Sequence, residues 1–264
     1  RIYGLGMVTF VASQVLHIPF NQWLLNPVLQ RLAPEPVGGS AALAIVAILL
    51  GLSAGVFEET ARLLMLLGPL RKARTWRDGL MFGTGHGGVE AVLLGLLSLY
   101  SLVQLVALRD TDLAATLAPA QVETVRAALT IFWGMPWYDH LIPTLERAFA
   151  ICLHLGLSIL VLQALTRRNW LWFVLAVLWH ALVDAAAVFA MQTWGVYPAE
   201  AMVAIFGLLS LALVRLLRDR APAPAAQASA EQTPTALPLS VTVTTPAVEP
   251  DAQALENSGY QRSS

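Results

Sequence analysis

Three pairs of ionisable residues are spaced to share one face of a helix. Glu58 and Arg62, His86 and Glu90, and His180 and Asp184 each lie four residues apart, and Glu59 lies three before Arg62. His154 adds another imidazole. Neutral imidazole and carboxylate are the ligands zinc takes in hydrolytic sites, where three protein ligands leave one position open. A glutamate left over from such a set can serve as a general base toward water. Whether these residues do chemistry together depends on the elements that carry them.

Those elements read as membrane-spanning helices. The chain of 264 residues is 57% hydrophobic and 12% charged, with a mean hydropathy of +0.64, against the roughly 25% charged residues of soluble domains. Six apolar segments stand out at 2–20, 41–67, 79–108, 141–165, 170–193 and 199–217. Each is long enough to cross a hydrocarbon core about 30 Å thick. None shows the ten-residue alternation of barrel strands. The expected fold is therefore an all-α polytopic membrane bundle of about six transmembrane helices over residues 1–218. Because the chain opens on Arg1, one more crossing upstream is compatible with this reading. The formal net charge of −1 gives no nucleic-acid signal, and the single cysteine, Cys152, can make no intrachain disulfide. The partners expected are membrane lipids and a membrane-embedded or membrane-adjacent peptide.

Orientation follows from the basic turns. "RKARTWRD" (71–78), "RRN" (167–169) and "RLLRDR" (215–220) should face the cytoplasm, whereas the stretches around 21–40 and 194–198 are poor in Lys and Arg. Six alternating crossings satisfy all of these and place both ends in the cytoplasm. The 109–140 connection is expected to hold an amphipathic helix at the outer surface, with Asp112 and Pro119 as start signals. Residues 219–264, rich in Pro, Ala, Ser and Thr, read as a disordered cytoplasmic tail.

Depth ties the ionisable residues together. Glu59 lies 12 residues before Arg71, Glu90 12 after Asp78, His154 13 before Arg167 and His180 12 after Arg168, and His86 lies 8 after Asp78. At 1.5 Å per residue these offsets are roughly 12 to 20 Å, so four helices bring acids and imidazoles to one layer. Ionisable groups at that depth are costly, and as a set they point to function.

Individually, each has a plainer structural account. Gly83, Gly85, Gly87 and Gly88 suit close helix packing about twice as readily as substrate approach. His17, at the outer end of its helix, reads as a packing residue. Glu146 and Arg147 read as a structural pair toward the outer side, with Glu146 also able to line an access path. Arg62 reads as the counter-ion of the glutamates, and Asp184 as either a fourth ligand or the group that orients His180.

The segments "FEETARLL" (57–64), "FGTGHGGVEAVLLG" (82–95), "ERAFAICLHLGLSILV" (146–161) and "WHALVDAAAVF" (179–189) resemble the four signature segments of the bacterial YhfC family of intramembrane metalloproteases. That family is distantly similar to the PrsW proteases and to the CAAX prenyl endopeptidase and bacteriocin-processing group. These relatives share a double glutamate followed by a basic residue, a phenylalanine-led motif ending in His or Glu, and His-x-x-x-Asn/Asp. Glu58-Glu59 with Arg62 matches the first, and His180 with Asp184 the last. The middle motif fits in two registers, one ending at His86 and one at Glu90, and both stay open. The resemblance spans about residues 1–217 and implies a bacterial plasma-membrane location.

The leading expectation is an intramembrane endopeptidase. Zinc would be held by His86, His154 and His180, with Glu90 or Asp184 as further ligand or orienter, and Glu58 or Glu59 would activate water. The site would be reached from the cytoplasmic half or laterally between helices. The alternative is a proton- or ion-coupled transporter using the same buried layer. Against it, the sequence shows neither an internal repeat nor a pair of broken helices in matching halves. A scaffold without catalysis would have no use for groups this costly to desolvate.

Overall fold

The computed structural model describes residues 1–32 and 40–218, and the expected tail at 219–264 lies outside them. The described elements are all helical: α1 (Ile2–Phe20), a π-helical turn (Asn21–Leu25), α2 (Asn26–Leu32), α3 (Ser40–Leu67), α4 (Trp76–Leu108), α5 (Leu113–Thr116), α6 (Pro119–Gly134), a 3-10 turn (Trp137–Leu141), α7 (Ile142–Thr166), α8 (Leu171–Trp194) and α9 (Val196–Leu216). Six stretches are long and apolar enough to span a bilayer, as the sequence predicts.

The first span differs from expectation. It does not stop near residue 20 but continues to Leu32. The physical reason is local. Pro19 and Pro27 each remove a backbone N–H donor, and the turn between them widens to π-helical spacing instead of breaking. The apolar residues that follow keep the chain helical.

The turn between α3 and α4 is fixed by side chains on backbone. Arg74 donates to the carbonyls of Leu66 (3.1 Å), Leu70 (3.2 Å) and Ala73 (2.8 Å), which satisfies acceptors left over at the end of α3. The start of α4 is held by a reciprocal cap. The Asp78 amide donates to the Thr75 hydroxyl at 3.2 Å, and the Thr75 amide donates to the Asp78 carboxylate at 2.9 Å.

The six spans close a ring. α1 packs on α3 and α4, α3 on α8, and α4 on α7, while α9 lies against α7 and α8. The helix α6 forms within the 109–140 connection and buries no residue. Beyond Ala91, α4 runs largely exposed, presenting Val92, Leu96, Leu97, Leu99 and Val103 outward, as a lipid-facing surface would.

Glycines set the closest approaches. A Cβ on Gly85 would lie 2.0 Å from the Tyr3 carbonyl oxygen, which belongs to the α1 backbone and cannot rotate away. A Cβ on Gly87 would lie 2.8 Å from the His154 ring. The glycines of this segment therefore admit α1 and α7, the helix-packing account of the two weighed from sequence.

Gly85→Ala should accordingly destabilise the bundle by about 1–3 kcal/mol. Gly95→Ala, inside α4 with nothing within 4 Å of the added carbon, should instead stabilise it by up to about 1 kcal/mol. Denaturant unfolding in micelles compares the two; equal effects would contradict the close approach of α1 and α4.

Candidate active site

α3 supplies Glu58, Glu59 and Arg62. Consecutive helical residues point about 100° apart, so the two glutamates face different neighbours. Glu58 faces α4, where His86 Nε2 lies 3.0 Å from its Oε2. Glu59 faces α8, where His180 Nδ1 lies 2.7 Å from its Oε1. Arg62 joins them. Its guanidinium donates to Glu59 Oε1, lies 3.6 Å from Glu58 Oε2, and donates to His154 Nδ1 of α7 at 2.7 Å.

The arginine also sets a tautomer. Guanidinium only donates, so His154 Nδ1 accepts, and the ring hydrogen is left on Nε2. That nitrogen donates to Glu90 of α4. Arg147 closes the outer edge by donating to Glu90 at 2.7 Å and to Glu146 at 2.5 Å. Glu146 thus reaches the centre only through Arg147. Asp184 stands 3.6 Å from His180 Nε2, beyond hydrogen-bond distance.

Burial is nearly complete. Glu59, Arg62 and His86 have no solvent exposure, and Glu58, His154 and His180 have between 3% and 6%. The imidazoles of His86 and His154 lie 5.2 Å apart between ring centres, and those of His154 and His180 5.9 Å. The rings of Phe10 of α1 and His86 meet nearly perpendicular, with centres 5.3 Å apart.

The two ends of the bundle differ around this centre. Toward the α3–α4 turn, Leu63, Leu66, Phe82, Leu157, Leu160, Val161 and Ala176 fill the interior. Toward the opposite end, the side chains of Glu90, Arg147, Glu146 and Asp184 retain 16, 21, 33 and 37% exposure. The half that carries the basic turns, one of the two access routes expected from sequence beside lateral entry between helices, is thus mostly filled by apolar packing.

The donor set was tested against zinc, which takes imidazole nitrogen and carboxylate oxygen. Glu58, His86 and His154 offer one ligand atom each, all within 4.8 Å of one another. Among the described residues, His86 Nδ1 and Glu59 Oε2 are buried acceptors with no protein partner. In residue type and separation the residues fit a metal of this kind, with one exchange: both nitrogens of His154 are engaged, so a metal there would replace the Arg62 bond on Nδ1 while Nε2–H stays on Glu90. His180 lies beside this set, held on Glu59.

α1 contributes a residue that the charge-based reading missed. Gln14 donates from Nε2 to Glu58 Oε1 at 3.0 Å. His17, expected to be a packing residue, is buried, stacks on Phe57 at 5.3 Å and lies 3.3 Å from Gln14 Oε1. The available signal was the polar stripe Gln14, His17 and Asn21 at helical spacing within an apolar segment.

Fold and centre together define a multi-pass helical membrane protein with a buried histidine–carboxylate site. The comparisons with known proteins add the family. The model of the YhfC intramembrane metalloprotease family matches residues 1–207, and the chain belongs to that family. It is also 38% identical over 141 residues to a Bacillus subtilis (strain 168) protein described as an uncharacterized membrane protein YhfC, covering 52% of this chain and 54% of that one. The chain thus spans about half the length of the curated relative it matches. No solved structure matches it.

Arg62→Leu would leave Glu58 and Glu59 buried without their cation, a loss of about 3–5 kcal/mol. Arg126→Leu removes only the exposed pair with Glu123 and should cost about 0–1 kcal/mol. Unfolding of both variants in micelles separates them, and similar losses would contradict the role given to Arg62.

Proposed function

We propose that the chain is an intramembrane endopeptidase of the plasma membrane, cleaving membrane-embedded or membrane-adjacent peptides with water. The observation that carries this reading is the convergence of Glu58, His86 and His154 within 4.8 Å, with Glu59 beside them on the same helix. Glu58, His86 and His154 would hold zinc, His154 through Nδ1 in place of its bond from Arg62, a set that differs from the sequence expectation by exchanging His180 for Glu58. Bound there, the ion would supply Lewis-acid polarisation of a carbonyl or a water.

The remaining groups divide the proton work. Arg62 and His180 both donate to Glu59 Oε1, which leaves Oε2 as the basic oxygen. That oxygen takes a proton from the attacking water as the water oxygen bonds to the scissile carbonyl carbon. When the carbon–nitrogen bond breaks, Glu59 returns the proton to the leaving amine. His180 and Arg62 hold the carboxylate in place, and Asp184 stands on the far side of the His180 ring.

Substrate would approach from the end where Glu90, Glu146, Arg147 and Asp184 are partly exposed. By the positive-inside rule this is the outer half of the membrane, with the basic turns at 71–78 and 167–169 in the cytoplasm. The apolar fill of the other half also weighs against the transporter reading, because a proton or ion pathway needs polar groups on both sides of the layer.

Glu59→Gln should lower cleavage by about 10²–10⁴-fold while the protein keeps its zinc, whereas Glu58→Gln should lose zinc as well as activity. Both are read by counting new protein termini in membranes carrying each variant, alongside zinc content of the purified chains. Undiminished cleavage by both variants would overturn the proposal.

A further inference from the structure

Glu58 has a second set of partners on the side away from His86. Gln14 Nε2 donates to Glu58 Oε1 at 3.0 Å. Gln14 Oε1 lies 3.3 Å from His17 Nδ1, and His17 Nε2 lies 2.9 Å from Asn21 Nδ2. Asn21 Oδ1 accepts from the Ser53 hydroxyl at 2.6 Å. These contacts run from α3 through the π-helical turn and α1 and back to α3.

The donor inventory fixes a direction. The amide nitrogen of Asn21 can only donate, so His17 Nε2 accepts and the ring hydrogen sits on Nδ1. His17 Nδ1 then donates to the Gln14 carbonyl oxygen, and the Gln14 amide nitrogen donates to the carboxylate. Every bond points the same way, from the Ser53 hydroxyl to Glu58. Two amides interrupt the series, and an amide does not readily take up and pass on a proton. The series is therefore suited to orienting a group rather than conducting protons.

We propose that Gln14, His17, Asn21 and Ser53 form a one-way hydrogen-bond chain that positions Glu58, with Gln14 as the positioning residue in contact and the others fixing its rotamer. The π-helical turn that begins at Asn21 belongs to this device, and such turns gather at functional sites. The chain holds Oε1 of the carboxylate, which leaves Oε2 facing His86. Its effect on metal binding rests on the reading of Glu58 as a ligand; its direction does not.

The test uses the full chain purified in micelles, with cobalt(II) alone as the probe. Gln14→Met keeps the side-chain length and removes both hydrogen bonds; Asn21→Leu breaks the chain two bonds further out and covers the case in which the first variant fails to fold. Cobalt affinity should fall about 10–100-fold in a folded variant. Unchanged affinity in both variants would overturn the proposal. If the wild-type chain takes up no cobalt, the metal reading above fails, and the decision passes to nitrogen-15 NMR of its histidines. His17 as the neutral Nδ1–H tautomer, with His86 resonances moved by Gln14→Met, upholds the chain. An Nε2–H or charged His17, or an unmoved His86, overturns it.

Discussion

The buried guanidinium of Arg62 is the constraint on which the site depends. A permanent cation with no solvent exposure must be met by anions and acceptors inside the protein. Glu58, Glu59 and His154 supply them. Because the two glutamates are adjacent on α3, they cannot face the same helix, and each carries its own histidine from a different neighbour. The arginine thereby fixes the relative placement of α3, α4, α7 and α8, and its demand for an acceptor decides which nitrogen of His154 bears hydrogen. One charge orders the polar layer and the helices around it.

Around that layer the bundle is asymmetric, and the asymmetry has a chemical use. Apolar side chains fill most of one end, where Ser158 and Gln163 are the buried polar groups of α7. The other end holds Glu90, Arg147, Glu146 and Asp184, charged groups that an aqueous or headgroup environment tolerates. The proposed hydrolysis would use both properties: a dry floor, where electrostatic interactions are strong, and a polar side from which water and a peptide would approach. The close approach of α1 and α7 to the glycines of α4 brings the ring together without side chains in between.

Much of this was legible in sequence because charge in an apolar helix is a strong signal. Counting residues from the basic turns put Glu59, His86, Glu90, His154 and His180 at one depth, and the structure brings them together. The split of roles between Glu58 and Glu59 was not legible, since adjacent helical positions differ by rotation, which depth does not report. Gln14 escaped notice because the depth count took only ionisable residues and an amide carries no charge, although its stripe with His17 and Asn21 was visible. The extension of the first span to Leu32 was missed because the apolar segment was bounded at residue 20, with Pro19 and Pro27 on either side of that boundary. Here the helix absorbs them in a wider turn.

A zinc centre at Glu58, His86 and His154 would give about one zinc per chain with nitrogen and oxygen neighbours at about 2.0–2.2 Å and no sulfur, lost in His86→Ala, as read by zinc K-edge X-ray absorption of the purified chain. Absence of zinc, or a sulfur neighbour from Cys152, would contradict it.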